Sequence, residues 1–224
     1  MIPRTLSSAA TAVPAVSEST EPAAKPSLWL VRHGQSTWNS AGICQGHNDD
    51  AELTERGLAE AAGTAAGFRD RQIRAVYSSD LRRARQTAAA FAAVLGLPVL
   101  IDARLRERSF GVLEGTPLAT VDTALTGVAG SLVIDPDARP PGGESVRDFY
   151  LRAAAFADTV AAELRQARNA LTGDVLAIAH GGTLRVLDAY LHGIPVDQMT
   201  WPPVSNATTL RIADFGTKSR GGNR

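Results

Sequence analysis

Two histidines carry the strongest chemical signal in this sequence. His33 and His180 each follow an apolar, strand-like run and each precede glycine, in Leu30-Val31-Arg32-His33-Gly34-Gln35-Ser36 and Ala179-His180-Gly181-Gly182. A neutral imidazole is a nucleophile that a phosphate dianion does not repel near pH 7, and a protonated one is a donor. Arg32 adjoins His33, and Arg82 and Arg83 open a helix just beyond another strand end. Guanidinium groups present planar paired donors to phosphate oxygens, and a helix N-terminus adds backbone N–H groups. For either histidine alone the plain alternative is a hydrogen-bonded structural residue, since fold position does not establish function. Two in the same setting, beside arginine and glycine, argue for a phosphate site. In Asp80-Leu81-Arg82-Arg83-Ala84-Arg85, Arg82 and Arg85 read as a solvated, salt-bridged helix face. Arg83 is assigned to the site.

These residues need a scaffold that gathers them. Leu28–Arg32 reads as the first strand, and short apolar strands then alternate with helical stretches. That pattern predicts an α/β fold, a three-layer α/β/α sandwich around a largely parallel sheet. In such a sheet the C-terminal strand ends converge on one edge, where ligands bind. Thr54 caps a helix running to about Phe68, with Leu53 and Leu58 at hydrophobic-staple positions. Ile73–Tyr77 is the next strand, and Ser78-Ser79-Asp80 is expected to cap the helix that Gly96 ends. Pro98–Ile101 reads as a strand. Ser145 and Asp148 stand at capping-box spacing before a long helix containing Phe149, Ala153, Phe156, Val160 and Leu164. Val175–Ala179 is a buried strand, Thr183–Leu191 a helix with Gly193 near its end, and Ala207–Phe215 a last strand. The stretch Gly115–Pro141 reads as a lid or side insertion.

Composition sets bounds. With 224 residues, 44% hydrophobic and 21% charged, the chain suits one α/β domain with a substantial core. Its 23 basic and 23 acidic side chains balance, so nothing in the total charge points to nucleic acid or membrane partners. Attraction for an anion must come from locally gathered arginines. One cysteine, Cys44, excludes an internal disulfide and fits a cytoplasmic setting. No apolar run approaches the roughly 18–20 residues that span a bilayer. The Ala/Ser/Thr/Pro-rich residues 1–26 are broken by Pro14, Ser17, Glu18 and Glu21, so they read as a disordered tail rather than a secretory signal. A single domain is expected over 27–215, and a frayed end over 216–224.

Beyond the histidines, five blocks appear in order: Val31-Arg32-His33-Gly34-Gln35-Ser36-Thr37-Trp38-Asn39, Ser78-Ser79-Asp80-Leu81-Arg82-Arg83-Ala84-Arg85-Gln86-Thr87, Leu105-Arg106-Glu107-Arg108-Ser109-Phe110-Gly111-Val112-Leu113-Glu114-Gly115, Pro141-Gly142-Gly143-Glu144-Ser145 and Ala179-His180-Gly181-Gly182. Together they resemble the histidine phosphatase superfamily, the phosphoglycerate mutase-like family, across residues 28 to 215. The resemblance implies that His33 is the nucleophile that becomes phosphohistidine. Arg32, Arg83 and His180 match its phosphate pocket, Asn39 a further phosphate contact, with Gly181 beside them, and Glu107 its proton donor. Gln35 stands where a glutamate is frequent and leaves the nucleophile in place.

Hydrolysis of a small phosphomonoester without metal or cofactor is therefore the expected activity. A phosphomutase using the same phosphohistidine is the second reading. Glu107-Arg108-Ser109-Phe110-Gly111 departs from the mutases' Glu-Arg-His-Tyr-Gly, and Gly115–Pro141 is short beside their substrate-enclosing insertion. A silent phosphate-binding module is the third, and retention of the whole residue set argues against it. Glu144 is expected to anchor a helix start that organises the pocket. His47 and Asp49 lie in a loop read either as substrate-facing or as polar surface. His192 is expected to be structural or exposed, Cys44 a packing thiol, and Trp38 and Trp201 packing residues. No metal-binding pattern is present. Substrate identity and oligomeric state, a homodimer among the options, are left open.

Overall fold

The computed structural model describes residues 25–121, 135–166 and 173–216. Five strands, β1 (Leu28–Arg32), β2 (Ile73–Ser78), β3 (Val99–Ile101), β4 (Asp174–Ala179) and β5 (Thr209–Ile212), form one sheet in the order β3-β2-β4-β1-β5. All neighbours run parallel except β5, which pairs antiparallel with β1 at the edge. The helices described in full are α1 (Thr37–Ser40), α2 (Glu55–Ala66), α3 (Arg82–Leu95), α4 (Val146–Gln166) and α5 (Gly181–Leu191).

Strand side chains alternate between faces, and here both faces are covered. Leu28 and Leu30 of β1, with Val175, Ala177 and Ala179 of β4, pack against Phe149, Ala153 and Phe156 of α4 and Leu184 and Leu187 of α5. The alternate residues Trp29, Val31, Leu176 and Ile178 pack against Ala65 of α2 and Ala84, Ala88 and Phe91 of α3. This double burial is why β1 and β4 read as nearly unbroken apolar runs. The architecture is the expected α/β sandwich.

Several predicted end signals are present. Thr54 Oγ1 accepts from Gly57 N, Gly96 adopts φ +67° after α3, and Ser145 and Asp148 exchange bonds of 2.9 and 3.0 Å. Two expectations are corrected. Leu58 stays 49% exposed while Leu53 is buried, so α2 starts on its Thr54 cap without the staple. The start of α3 is capped from outside: Asp49 accepts from Arg82 N, while Asp80 is taken by an ion pair with Arg106 at 2.8 and 2.5 Å. Asp49 thus serves as the cap of α3. The middle of Gly115–Pro141 and most of both expected tails lie outside the described residues. Pro26 already packs on the domain, its carbonyl accepting from Phe215 N. Among the described residues no helix is long and apolar enough to cross a membrane.

Candidate active site

Strand register brings the two histidines together. β1 and β4 pair with Arg32 opposite Ala179, and His33 N then donates to Ala179 O at 3.0 Å. His33 and His180 leave the sheet side by side, with ring centroids 5.1 Å apart at an interplanar angle of 62°. On the other side of β4, Ser79 N donates to Ile178 O, which sets Ser79 against His180. Three adjacent strand ends therefore supply Ser79, His180 and His33.

The hydrogen bonds of His33 define its chemistry. Its Nδ1 lies 2.8 Å from Gly34 O, and a carbonyl only accepts, so Nδ1 carries the proton and Nε2 keeps its lone pair. The ring is 2% exposed. Burial, then the charges of Arg83 and Arg32, hold its pKa well below the ordinary histidine value. It is neutral at physiological pH. His180 is fully buried and shifted downward for the same reasons, burial first and Arg83 next. Its Nε2 is 2.9 Å from Ser79 Oγ, which also accepts from Leu81 N. A hydroxyl that accepts from Leu81 N still has its proton to give, and with Ser79 donating to Nε2 the ring proton sits on Nδ1.

The arginines are pre-set. Arg83 is fully buried, yet forms no ion pair with a carboxylate among the described residues; Nη1 donates to Asn48 O at 2.9 Å and Nη2 to Gly46 O at 2.8 Å. Burial pushes its pKa down to about 10, still charged at neutral pH. Arg32 donates through Nη1 to Val204 O. Arg82 and Arg85 pair with Glu52 and Asp49 on the outer face, as the sequence pattern predicts. Three buried nitrogens, Arg32 Nε, Arg83 Nε and His180 Nδ1, have no acceptor within the described protein. Buried donors left unpaired are rare, because each costs about 1–3 kcal/mol.

Glu107 sits on a braced loop. Oε2 accepts from Gly182 N and Oε1 from Arg108 N, both at 2.9 Å. Its carbonyl accepts from His47 Nε2 at 2.8 Å and from Arg152 Nη2 at 2.9 Å. Arg152 also donates to the carbonyls of Arg104 and Arg106 and clasps both oxygens of Glu144 at 2.8 Å. Burial raises the pKa of Glu144, but Arg152, together with Ser109 N and His47, outweighs it and leaves the carboxyl below its usual value. Glu144 organises the loop, as expected, though through Arg152 rather than a helix terminus. His47 is part of this brace.

Asn39 Oδ1 accepts from Ser36 N, Ser36 Oγ and Asn206 Nδ2, so only its amide nitrogen remains to donate outward. Gly181 is the first residue of α5, after His180 at the cap position. Cys44 is a buried thiol pushed up to about 12 by burial and by Glu114. His192 is exposed beside Asp188, and Trp201 packs at the core margin. Sequence reasoning missed Ser79, Arg152 and Asn206 as parts of the site. Ser79 carried a signal, standing directly after a strand end like the two histidines. Arg152 and Asn206 carried none. Among the described residues no three His, Cys, Asp or Glu side chains gather as a metal site.

The fold class is that of phosphoglycerate mutase-like enzymes. A mycobacterial glucosyl-3-phosphoglycerate phosphatase structure superposes with TM-score 0.73 at 32% identity, covering 83% of this chain and 89% of that one. A phosphoglycerate mutase from Bacillus anthracis gives 0.70 at 25% identity, covering 86% and 90%. The model of the histidine phosphatase superfamily (branch 1) matches residues 28–220. A putative phosphoserine phosphatase 2 of Hydrogenobacter thermophilus is 35% identical over 193 residues, 86% of this chain and 91% of that protein. A glucosyl-3-phosphoglycerate phosphatase of Mycolicibacterium vanbaalenii is also 35% identical, covering 83% of each. A probable phosphoglycerate mutase of Erwinia tasmaniensis is 34% identical at the same coverage. The chain belongs to the histidine phosphatase superfamily and is an enzyme of that kind.

Proposed function

We propose that the protein hydrolyses small phosphomonoesters through a phosphohistidine on His33. The observation that carries this reading is the trio of buried, unpaired donors, Arg32 Nε, Arg83 Nε and His180 Nδ1, gathered about a neutral imidazole. A phosphoryl group supplies the acceptors they lack, with the Asn39 amide and the Gly181 end of α5 as further donors.

The chemistry then balances without a further reactant besides water. His33 Nε2 attacks phosphorus, the ester P–O bond breaks, and Glu107 gives its proton to the departing alkoxide. Arg32, Arg83 and the His180 Nδ1–H stabilise the equatorial oxygens during transfer. Water next attacks the phosphorus, Glu107 takes back a proton, and the P–N bond breaks. Phosphate leaves and His33 returns to its neutral form. The phosphatase names of two relatives support water as the acceptor. The similarity to a probable phosphoglycerate mutase supports the second reading, return of the phosphoryl group to a substrate hydroxyl. Ser109-Phe110 after Glu107-Arg108 favours hydrolysis.

The test is phosphate release from a panel of phosphomonoesters with chelator present, comparing the native protein with His33→Ala. Native enzyme should release phosphate and form an acid-labile phosphoenzyme, and the folded variant should do neither. Undiminished turnover by His33→Ala would overturn the covalent route; isomerised product without phosphate would replace hydrolysis by the mutase reading.

A further inference from the structure

One arginine beside the site has no part in the steps above. Arg185 lies on α5, one turn beyond Gly181, and is half-buried. Its Nε donates to Pro202 O at 2.6 Å, and its guanidinium carbon stands 5.8 Å from the centroid of Trp201. Those contacts hold one edge of the fork and leave both terminal nitrogens without an acceptor among the described residues. A side-chain carbon at Gly181 would lie 3.4 Å from Arg32 Nε and 3.7 Å from Arg185 Nη1. The two guanidinium groups therefore flank one point, and glycine at 181 puts nothing between them.

The charge balance there is uneven. Several arginines of the fold face a carboxylate, among them Arg104 with Asp102, Arg106 with Asp80 and Arg152 with Glu144. Arg32, Arg83 and Arg185 form no such ion pair among the described residues, and Glu107 is the one carboxylate whose charge favours the protonated form of all three. Burying cations side by side is costly unless an anion offsets them. In the proposed reaction Glu107 enters as the neutral acid, so it offsets nothing at that moment. A phosphoryl dianion balances two guanidinium charges and leaves the third.

We propose that Arg185 is a specificity-determining residue that binds a second anionic group, a carboxylate or second phosphate, carried by the substrate close to the phosphoryl group. The inference rests on the phosphatase reading and deepens it. A planar fork fixed at Nε and open at its two ends suits paired oxygens of either group. Trp201 and Pro202 place the fork, so little ordering remains on binding.

The test uses three esters of equal chain length: ethyl phosphate, with no second anion, phosphoglycolate, with a carboxylate, and ethylene glycol bisphosphate, with a second phosphate. Native enzyme should favour at least one doubly substituted ester over ethyl phosphate. Arg185→Gln should lower kcat/KM for the favoured ester about 10–100-fold more than for ethyl phosphate, mainly through KM, as loss of a charge-assisted bond implies. Arg185→Lys should recover part of the difference. Whichever ester loses more identifies the group bound. Because each comparison is a ratio within one preparation, partial misfolding cancels. Equal losses on all three esters, or a native preference for ethyl phosphate, would overturn the proposal and make Arg185 a structural support. Absence of His33-dependent phosphate release from every ester by native enzyme would instead sink the phosphatase reading, and this one with it.

Discussion

Gly182 and Glu107 are pressed together: Gly182 N donates to Oε2 at 2.9 Å, and a side-chain carbon at residue 182 would fall 2.1 Å from Oε1. The glycine is what lets the carboxyl group reach the start of α5 beside the histidines. That carbon would also stand 3.1 Å from Cε1 of the buried Phe149 ring, so Gly182→Ala should displace the Glu107 carboxyl and press on that ring rather than on backbone. We expect thermal stability to change little while turnover falls about 100-fold, the low end of what a positioned acid–base group contributes. Alkyl phosphates should lose more than p-nitrophenyl phosphate, whose leaving group needs no proton, and Glu107→Gln should show the same pattern. Uniform losses across leaving groups would separate Glu107 from proton transfer.

The parts legible in the sequence were those set by local grammar. β1 and β4 announced themselves because they are buried on both faces, and Thr54, Gly96 and the Ser145–Asp148 pair mark helix ends that tertiary contacts do not override. The misreadings arose where a distant partner won. Asp80 stands where a cap belongs, but Arg106 captures it, and Asp49 caps α3 from 33 residues away. Arg152 lies amid the apolar pattern of α4, yet it holds three carbonyls and Glu144 under the Glu107 loop. No periodicity reveals such a role, because it depends on which backbone groups another loop leaves unpaired. The site histidines were legible for the opposite reason: strand order alone brings their positions together.

The two buried imidazoles should tie stability to pH. His33 and His180 have folded pKa values held well below the ordinary value of 6.5, by burial first and Arg83 second. Their contribution is complete above about pH 6.5, where both states are neutral. As pH falls below that, the unfolded chain takes up protons that the folded one refuses, and stability is lost. Urea unfolding between pH 7.5 and 5 should show a decline approaching about 1.4 kcal/mol per pH unit for each histidine. His47, also shifted down by burial, adds to the slope. The double variant His33→Gln/His180→Gln should flatten it. A native slope near zero would mean that the histidines are not held neutral.

A last contact fixes the loop that carries His33 and can be read from the sign of a stability change. Gly34 and Gly57 let the segment after β1 meet the first turn of α2 backbone to backbone. A side-chain carbon at Gly57 would lie 2.0 Å from Gln35 O, and one at Gly34 would lie 2.2 Å from Gly57 O. Helix propensity alone says that Gly→Ala in α2 stabilises by about 0.5–1 kcal/mol. Gly63, in the same helix with nothing within 4 Å of its would-be side chain, should behave that way. Gly57→Ala should do the reverse and lose about 1–3 kcal/mol, because neither backbone can yield without shifting the other. Turnover should fall with it, since Gln35 lies two residues from His33 and its carbonyl also accepts from Thr54 N. Denaturant midpoints of the two variants, measured side by side, decide the matter: opposite signs establish the contact, and stabilisation in both would remove it.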